Sequence, residues 1–144
     1  MAEIRYGVGP RIYKKGVYKN YTYYITENYS NPCAYVLVPR KLGKKKHPFY
    51  RLGIDKLPPL PVHGNITYFS KDFMFEKISK DYFVLGWDYC HGGDYVYFDD
   101  SLVLDSRLFK DYNKGKHKWK YKEIMEDVTD LIELLLEVEK YEKY

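Results

Sequence analysis

At 144 residues the chain fits one domain, 1–144, long enough to bury a core without disulfide staples. Tyrosine supplies 18 residues and aromatic side chains 19% of the total, which excludes a disordered composition; 31% charged residues and a mean hydropathy of −0.57 exclude an integral membrane protein. Basic side chains exceed acidic ones 24 to 20, and the resulting +4 permits anion binding without demanding it.

The charge is unevenly spread. Arg40, Lys41, Lys44, Lys45, Lys46 and Arg51 share one stretch, whereas Glu123, Glu126, Asp127, Asp130, Glu133, Glu137, Glu139 and Glu142 crowd the C-terminal segment. Cys33 and Cys90 are too few for a disulfide framework and lack zinc-motif spacing, so a reducing compartment is expected. Met1 to Tyr6 carries no apolar signal region, and no run approaches the roughly 18 apolar residues of a membrane span. A cytoplasmic protein without a membrane partner is the expectation.

Taken in order, Ile4 to Val8 and Val17 to Ile25 read as short strands of a hairpin, with Gly7, Gly9, Pro10 and a Lys14-Lys15-Gly16 turn as punctuation. In the second of these, alternation assigns Tyr21, Tyr23 and Ile25 to the core face. Asn28 to Pro32 is a polar turn, and Cys33 to Val38 a nearly continuous apolar run that should be a central strand. Pro39 ends it. A long basic loop, about 40–61, follows; its plain reading is a solvated connection and its functional reading an anion-collecting rim.

Val62 to Phe69 reads as a turn at Gly64-Asn65 feeding a strand, and Ser70 to Lys80 is open between a short helix and a loop tucked on the core. Tyr82 to Asp88 is a strong strand, broken by Gly92-Gly93, with a brief further strand over Tyr95 to Phe98. Asp99 to His117 reads as an exposed connection. A C-terminal helix spans about 121–143, because Ile124, Val128, Leu131, Leu135 and Val138 recur at steps of 4, 3, 4 and 3. Met125, Ile132, Leu134 and Leu136 widen its apolar stripe. Core burial is the simpler account of them, and a homo-oligomer contact through this helix the alternative. The fold class expected is α+β, a mostly antiparallel β-sheet with a long C-terminal helix packed on one face.

Three segments in one order, Ala34-Tyr35-Val36-Leu37-Val38-Pro39, Val62-His63-Gly64-Asn65-Ile66-Thr67-Tyr68 and Leu85-Gly86-Trp87-Asp88-Tyr89-Cys90-His91-Gly92-Gly93-Asp94, are followed by the closing helix. This combination resembles a family of small, largely uncharacterised bacteriophage and prophage proteins with GYVxVP-like, HGG(L/I)T(F/Y) and GFDxxHxGD motifs. His63, Gly64, Ile66 and Thr67 match the second motif; Gly86, Asp88, His91, Gly93 and Asp94 match the third. Asn65 stands where the family has a glycine, acceptable if that position is left-handed, and Trp87 stands where it has phenylalanine. The resemblance implies a bacterial host cytoplasm and, by analogy with other small phage proteins, a counter-defence role in sequestering a nucleotide-type immune signal.

Four functional readings fit these residues. The first is a binding module for a small anionic or nucleotide-type ligand, with contacts from His63, Gly64, Thr67, Trp87, Asp88, His91, Gly92, Gly93 and Asp94 and positive charge from Arg40 and Lys44. It calls for no turnover, no resident metal and no cofactor. The second is a metal-dependent hydrolase or phosphodiesterase in which Asp88, His91, Asp94 and His63 supply ligands or an acid and base. In the third the same polar groups serve only turns and a buried hydrogen-bond network, as in a structural or protein-interaction domain. Nucleic-acid binding through the basic loop is the weakest, given the acidic helix and modest charge.

Overall fold

The computed structural model describes residues 3–43, 60–95, 97 and 113–140. Among the described residues five strands, β1 (Arg11–Tyr18), β2 (Tyr21–Glu27), β3 (Cys33–Pro39), β4 (Tyr68–Ser70) and β5 (Tyr82–Asp88), form one antiparallel sheet in the order β1-β2-β3-β5-β4. A 3-10 turn, Arg40–Gly43, follows β3, and one long helix, α1 (Tyr121–Glu139), closes the chain. The fold is α+β, as the sequence pattern implies. Cys33 to Val38 is indeed the middle strand, and Tyr82–Asp88 pairs with it along its whole length, Cys33 opposite Asp88 and Pro39 opposite Tyr82.

Alternation along the strands divides the core in two. Tyr21, Tyr23 and Ile25, Ala34, Val36 and Val38, and Phe83, Leu85 and Trp87 face α1 and pack on its buried Ile124, Val128, Leu131, Ile132 and Leu135. The opposite face, Tyr24, Tyr35, Leu37 and Val84, is covered by Phe73, with Phe75 and Ile78 packed alongside, so the Ser70 to Lys80 stretch is the tucked loop rather than a helix. The central strands are buried on both faces, which is why β3 reads as an unbroken apolar run. Each fully buried large side chain contributes about 1.5–3 kcal/mol. The widened stripe on α1 is used within the chain: Ile132 is fully buried, and Met125, Leu134 and Leu136 pack against the same core. Among the described residues no helix is long and apolar enough to cross a membrane.

Three local expectations change. The first hairpin turns at Lys19-Asn20, not at Lys14 to Gly16, which lie inside β1. Lys19 and Asn20 have φ of 46° and 72°, the pair of left-handed residues that a two-residue hairpin turn needs. Gly16 is in the strand because Tyr23 covers it; a Cβ there would lie 2.4 Å from the Tyr23 hydroxyl. The stretch from Ile4 to Val8 forms no strand; Gly7, at φ 82°, anchors it by donating its N–H to the Tyr29 carbonyl. Tyr95 and Tyr97 likewise lie outside any strand, although Asp94 makes a parallel bridge to His117. The helix runs from Tyr121 to Glu139 with Lys140 as its C-cap, and Lys44 with most of the basic loop, 44–59, lies outside the described residues, as do 101–112 and 141–144.

Candidate functional site

The site is assembled where β5 ends. Beyond Asp88 the chain stays beside β3 for one more residue, the Tyr89 N–H donating to the Pro32 carbonyl, and then turns through His91-Gly92-Gly93-Asp94. That turn is closed twice: the Asp94 N–H donates to the His91 carbonyl at 2.8 Å, and the Asp94 carboxylate accepts the His91 N–H at 2.9 Å. Gly92 and Gly93 are exposed, do not adopt positive φ, and leave open space where a Cβ would stand, so neither glycine is sterically required. The stringent glycine is in the other segment.

Val62 to Asn65 forms a turn, the Asn65 N–H donating to the Val62 carbonyl, with Gly64 at φ 66° and Asn65 at φ 67°. Asn65 does occupy a left-handed position, and its side-chain oxygen accepts the Leu60 and Ile66 N–H groups. The imidazole of His91 lies directly over Gly64; a Cβ at that position would sit 2.2 Å from its Cε1. Helix α1 fixes the turn from below. The Asp127 carboxylate accepts the His63 N–H at 3.2 Å and the Tyr89 hydroxyl at 2.7 Å, while Tyr89 accepts the Trp87 indole N–H at 2.9 Å.

These supports bring His63, His91 and Asp94 together. His63 Nε2 is 2.7 Å from Asp94 Oδ2, the two imidazoles meet edge to face at 5.0 Å, and His63 stacks flat on Tyr89 at 5.3 Å. The second carboxylate oxygen, Oδ1, accepts the Trp119 indole N–H at 2.7 Å. Asp94 is only 2% exposed. Burial alone would raise its carboxyl pKa, but the bonds from Trp119, the His91 backbone and His63 outweigh that and hold it below the usual carboxylate range. With Asp94 ionised, a neutral His63 carries its proton on Nε2 and presents Nδ1 as an acceptor. His91 Nδ1, by contrast, is buried with no hydrogen-bond partner among the described residues, 3.5 Å from Asp94 Oδ2 and 3.8 Å from Asp88 Oδ1.

The remaining sequence candidates divide. Asp88 sits beside the cluster, half-exposed, accepting bonds from the Thr67 hydroxyl at 3.2 Å and the Cys90 N–H at 3.0 Å, so Asp88 and Thr67 form the rim. Trp87, 1% exposed, lies in the core beneath the site and offers no open ring face. Arg40 follows Pro39 at the Tyr82 end of β5, about 20 Å of strand from Asp88, and does not meet the cluster. Neither thiol is a ready nucleophile: burial, then the Asp88 charge, pushes Cys33 up to about 12 and raises Cys90 in the same order.

Trp119 escaped the sequence reading. It arrives through the Asp94–His117 bridge, in which the His117 N–H donates to the Gly93 carbonyl and the Tyr95 N–H to the His117 carbonyl, each at 2.8 Å. The signal available was the alternation His117-Lys118-Trp119-Lys120-Tyr121-Lys122, aromatic and cationic residues in turn just before the helix. On its other side Trp119 lines a groove of about 750 Å³ between the N-terminal segment and the start of α1, with Tyr6, Tyr13, Tyr121, Lys118, Lys120, Lys122, Ile4, Glu3 and Glu123. The Lys118 ammonium lies 5.2 Å from the Tyr6 ring centroid and 5.0 Å from that of Tyr95. Glu123 accepts the Lys120 N–H at 2.9 Å and pairs with His117 Nε2 at 2.6 Å. No protein-family model, curated protein or solved structure matches this chain.

Proposed function

We propose that the protein is a binding protein for a small anionic ligand of nucleotide type, which it captures without turnover. The observation that carries this reading is the groove beside Trp119: four aromatic rings and three lysines surround a volume suited to one such molecule. Ring faces stack on a base regardless of its identity, and ammonium groups answer phosphates. In this reading the groove lysines do what the basic loop was expected to do, and the Asp94–Trp119 bond fixes one wall of the groove through the polar cluster. In the phage setting that the motif resemblance implies, sequestering a nucleotide-type immune signal is the corresponding counter-defence role.

Calorimetry with a panel of mono-, di- and cyclic nucleotides tests the reading directly. Saturable binding is expected, weaker at high salt, and weakened about tenfold or more in Lys118→Ala with Lys122→Ala, because a charge-assisted contact is worth about 1.5–3 kcal/mol. Heat denaturation of protein recovered from defence-active cells should release the ligand. Absence of binding across the panel together with no released nucleotide would remove the proposal. A hydrolase is the second reading, favoured by the His63–Asp94 pair with His91 at its side. It requires product formation that is lost in a folded Asp94→Asn variant.

A further inference from the structure

The groove reading leaves His91 Nδ1 unused. This nitrogen is buried, has no hydrogen-bond partner among the described residues, and lies 3.5 Å from the Asp94 carboxylate, next to a second imidazole whose Nε2 touches the same oxygen. A buried polar atom left without a partner is destabilising. The bonds that close the His91–Asp94 turn run through the backbone N–H groups of His91 and Asp94 and make no use of this nitrogen.

We infer that His63 Nε2, His91 Nδ1 and Asp94 Oδ2 form a binding site for a divalent first-row transition ion of the zinc or cobalt type. One ligand atom from each of His63, His91 and Asp94 lies within 4.8 Å of those of the other two. Two imidazoles and one carboxylate are borderline donors, which suit such an ion better than magnesium or calcium. Ligand atoms about 2.0–2.1 Å from a tetrahedral ion stand about 3.3 Å apart, so the 3.5 Å between His91 Nδ1 and Asp94 Oδ2 is already that of a ligand pair. The 2.7 Å between His63 Nε2 and the same oxygen is a hydrogen bond, which must open by about 0.6 Å as the proton leaves Nε2. Three protein ligands would leave a fourth position of a tetrahedral ion for water, and the partly exposed His63 and His91 side chains put the cluster near the surface.

The outer contacts have the form a metal site needs. Asp94 Oδ1 is held by the Trp119 indole, the His63 ring is held flat on Tyr89, and the His91 ring is seated over Gly64. Such partners set ligand orientation, and their loss weakens metal affinity about 10–100-fold. The site is independent of the nucleotide reading. An ion bound here would have His63, His91 and Asp94 as its own ligands whether or not the groove holds a molecule.

The test uses the full chain, stripped with chelator and titrated with Zn²⁺ against a chromophoric competitor. One equivalent is expected to bind, with affinity weakened about 10–100-fold in Trp119→Phe and abolished in His91→Ala. Stoichiometry should be unchanged when Cys33→Ser and Cys90→Ser are combined. Because His91→Ala can also unfold the turn, ring-nitrogen NMR of the wild-type chain gives the decisive reading: Zn²⁺ should shift His91 Nδ1 and His63 Nε2 and leave the His117 ring unchanged. Failure of the wild-type chain to bind Zn²⁺ saturably overturns the inference. So does binding that survives His91→Ala, or bound Zn²⁺ that leaves both nitrogens unshifted. Since no nucleotide enters these measurements, they succeed or fail separately from the groove.

Discussion

Gly64→Ala is the substitution for which the geometry gives the clearest forecast. Gly64 has φ 66°, and its missing Cβ would lie 2.2 Å from His91 Cε1 and 2.3 Å from Nε2. Two terms follow. A residue with a Cβ pays about 1–2 kcal/mol to adopt the left-handed region. Relieving the contact to an ordinary 3.5–4.0 Å requires the His91 ring to move by more than about 1 Å, and forcing a packed group aside costs about 1–3 kcal/mol. Together they predict a loss of about 2–5 kcal/mol. Urea unfolding measures it as a lower midpoint at unchanged slope. Gly92→Ala is the matched control, because a Cβ there meets nothing within 4 Å and its φ is not positive; it should fall within about 0.5 kcal/mol of wild type. Equal midpoints for the two variants would refute the claim that Gly64 seats the His91 ring.

Other substitutions probe the supports. Asn65→Gly should lose only the two bonds accepted by the side chain, about 1–2 kcal/mol, whereas Asn65→Val should lose more because φ 67° opposes a β-branched residue; unfolding midpoints rank them. Tyr89→Phe removes the acceptor of the buried Trp87 indole N–H and a donor to Asp127, and a loss of about 1–3 kcal/mol by urea titration is expected. Glu27, 2% exposed, accepts from the Arg5 backbone at 2.6 Å and from Arg11 Nε at 2.8 Å; Glu27→Ala should cost about 1–2 kcal/mol, the half-exposed arginines being free to rehydrate. The Asp94 carboxyl titrates below the ordinary value of about 3.9, so its contribution is present above that pH and lost as pH falls through the folded value. The melting temperature should therefore drop as pH falls below the ordinary carboxylate value of about 3.9, less steeply in Asp94→Asn.

Much of the sheet is legible from pattern because its central strands are buried on both faces. Cys33 to Val38 and Tyr82 to Asp88 carry few polar residues, and runs of that length have no other stable home. The hairpin turn is not legible in the same way, because Lys14-Lys15-Gly16 has the local composition of a turn while Lys19-Asn20 makes it. Only the packing of Tyr23 on Gly16 explains why that glycine stays extended, and a ring 7 residues distant in sequence carries no local signal.

The cluster was legible in part. His63, His91 and Asp94 stand out as polar residues beside glycines, and they do meet, through turns that Asp127 and Trp119 brace from another element. Those braces are non-local, so sequence spacing does not reveal them. Only its charge associates Arg40 with the site in the sequence; strand pairing carries it to the other end of the sheet. Lys118 and Lys120 reach a groove next to the cluster from the stretch that precedes the apolar periodicity, and Lys122 from the first turn of α1.

The chain has two tryptophans, Trp87 buried in the core and Trp119 between the cluster and the groove, so its indole N–H signals report the two places separately. A proton–nitrogen NMR titration with the tightest-binding nucleotide of the panel is therefore the most direct test of a ligand site at the groove. The Trp119 indole and the backbone amides of residues 118–122 should shift saturably while the Trp87 indole stays in place. Shifts confined to residues around Arg40 and 71–80, or none at any concentration that saturates binding, would contradict it.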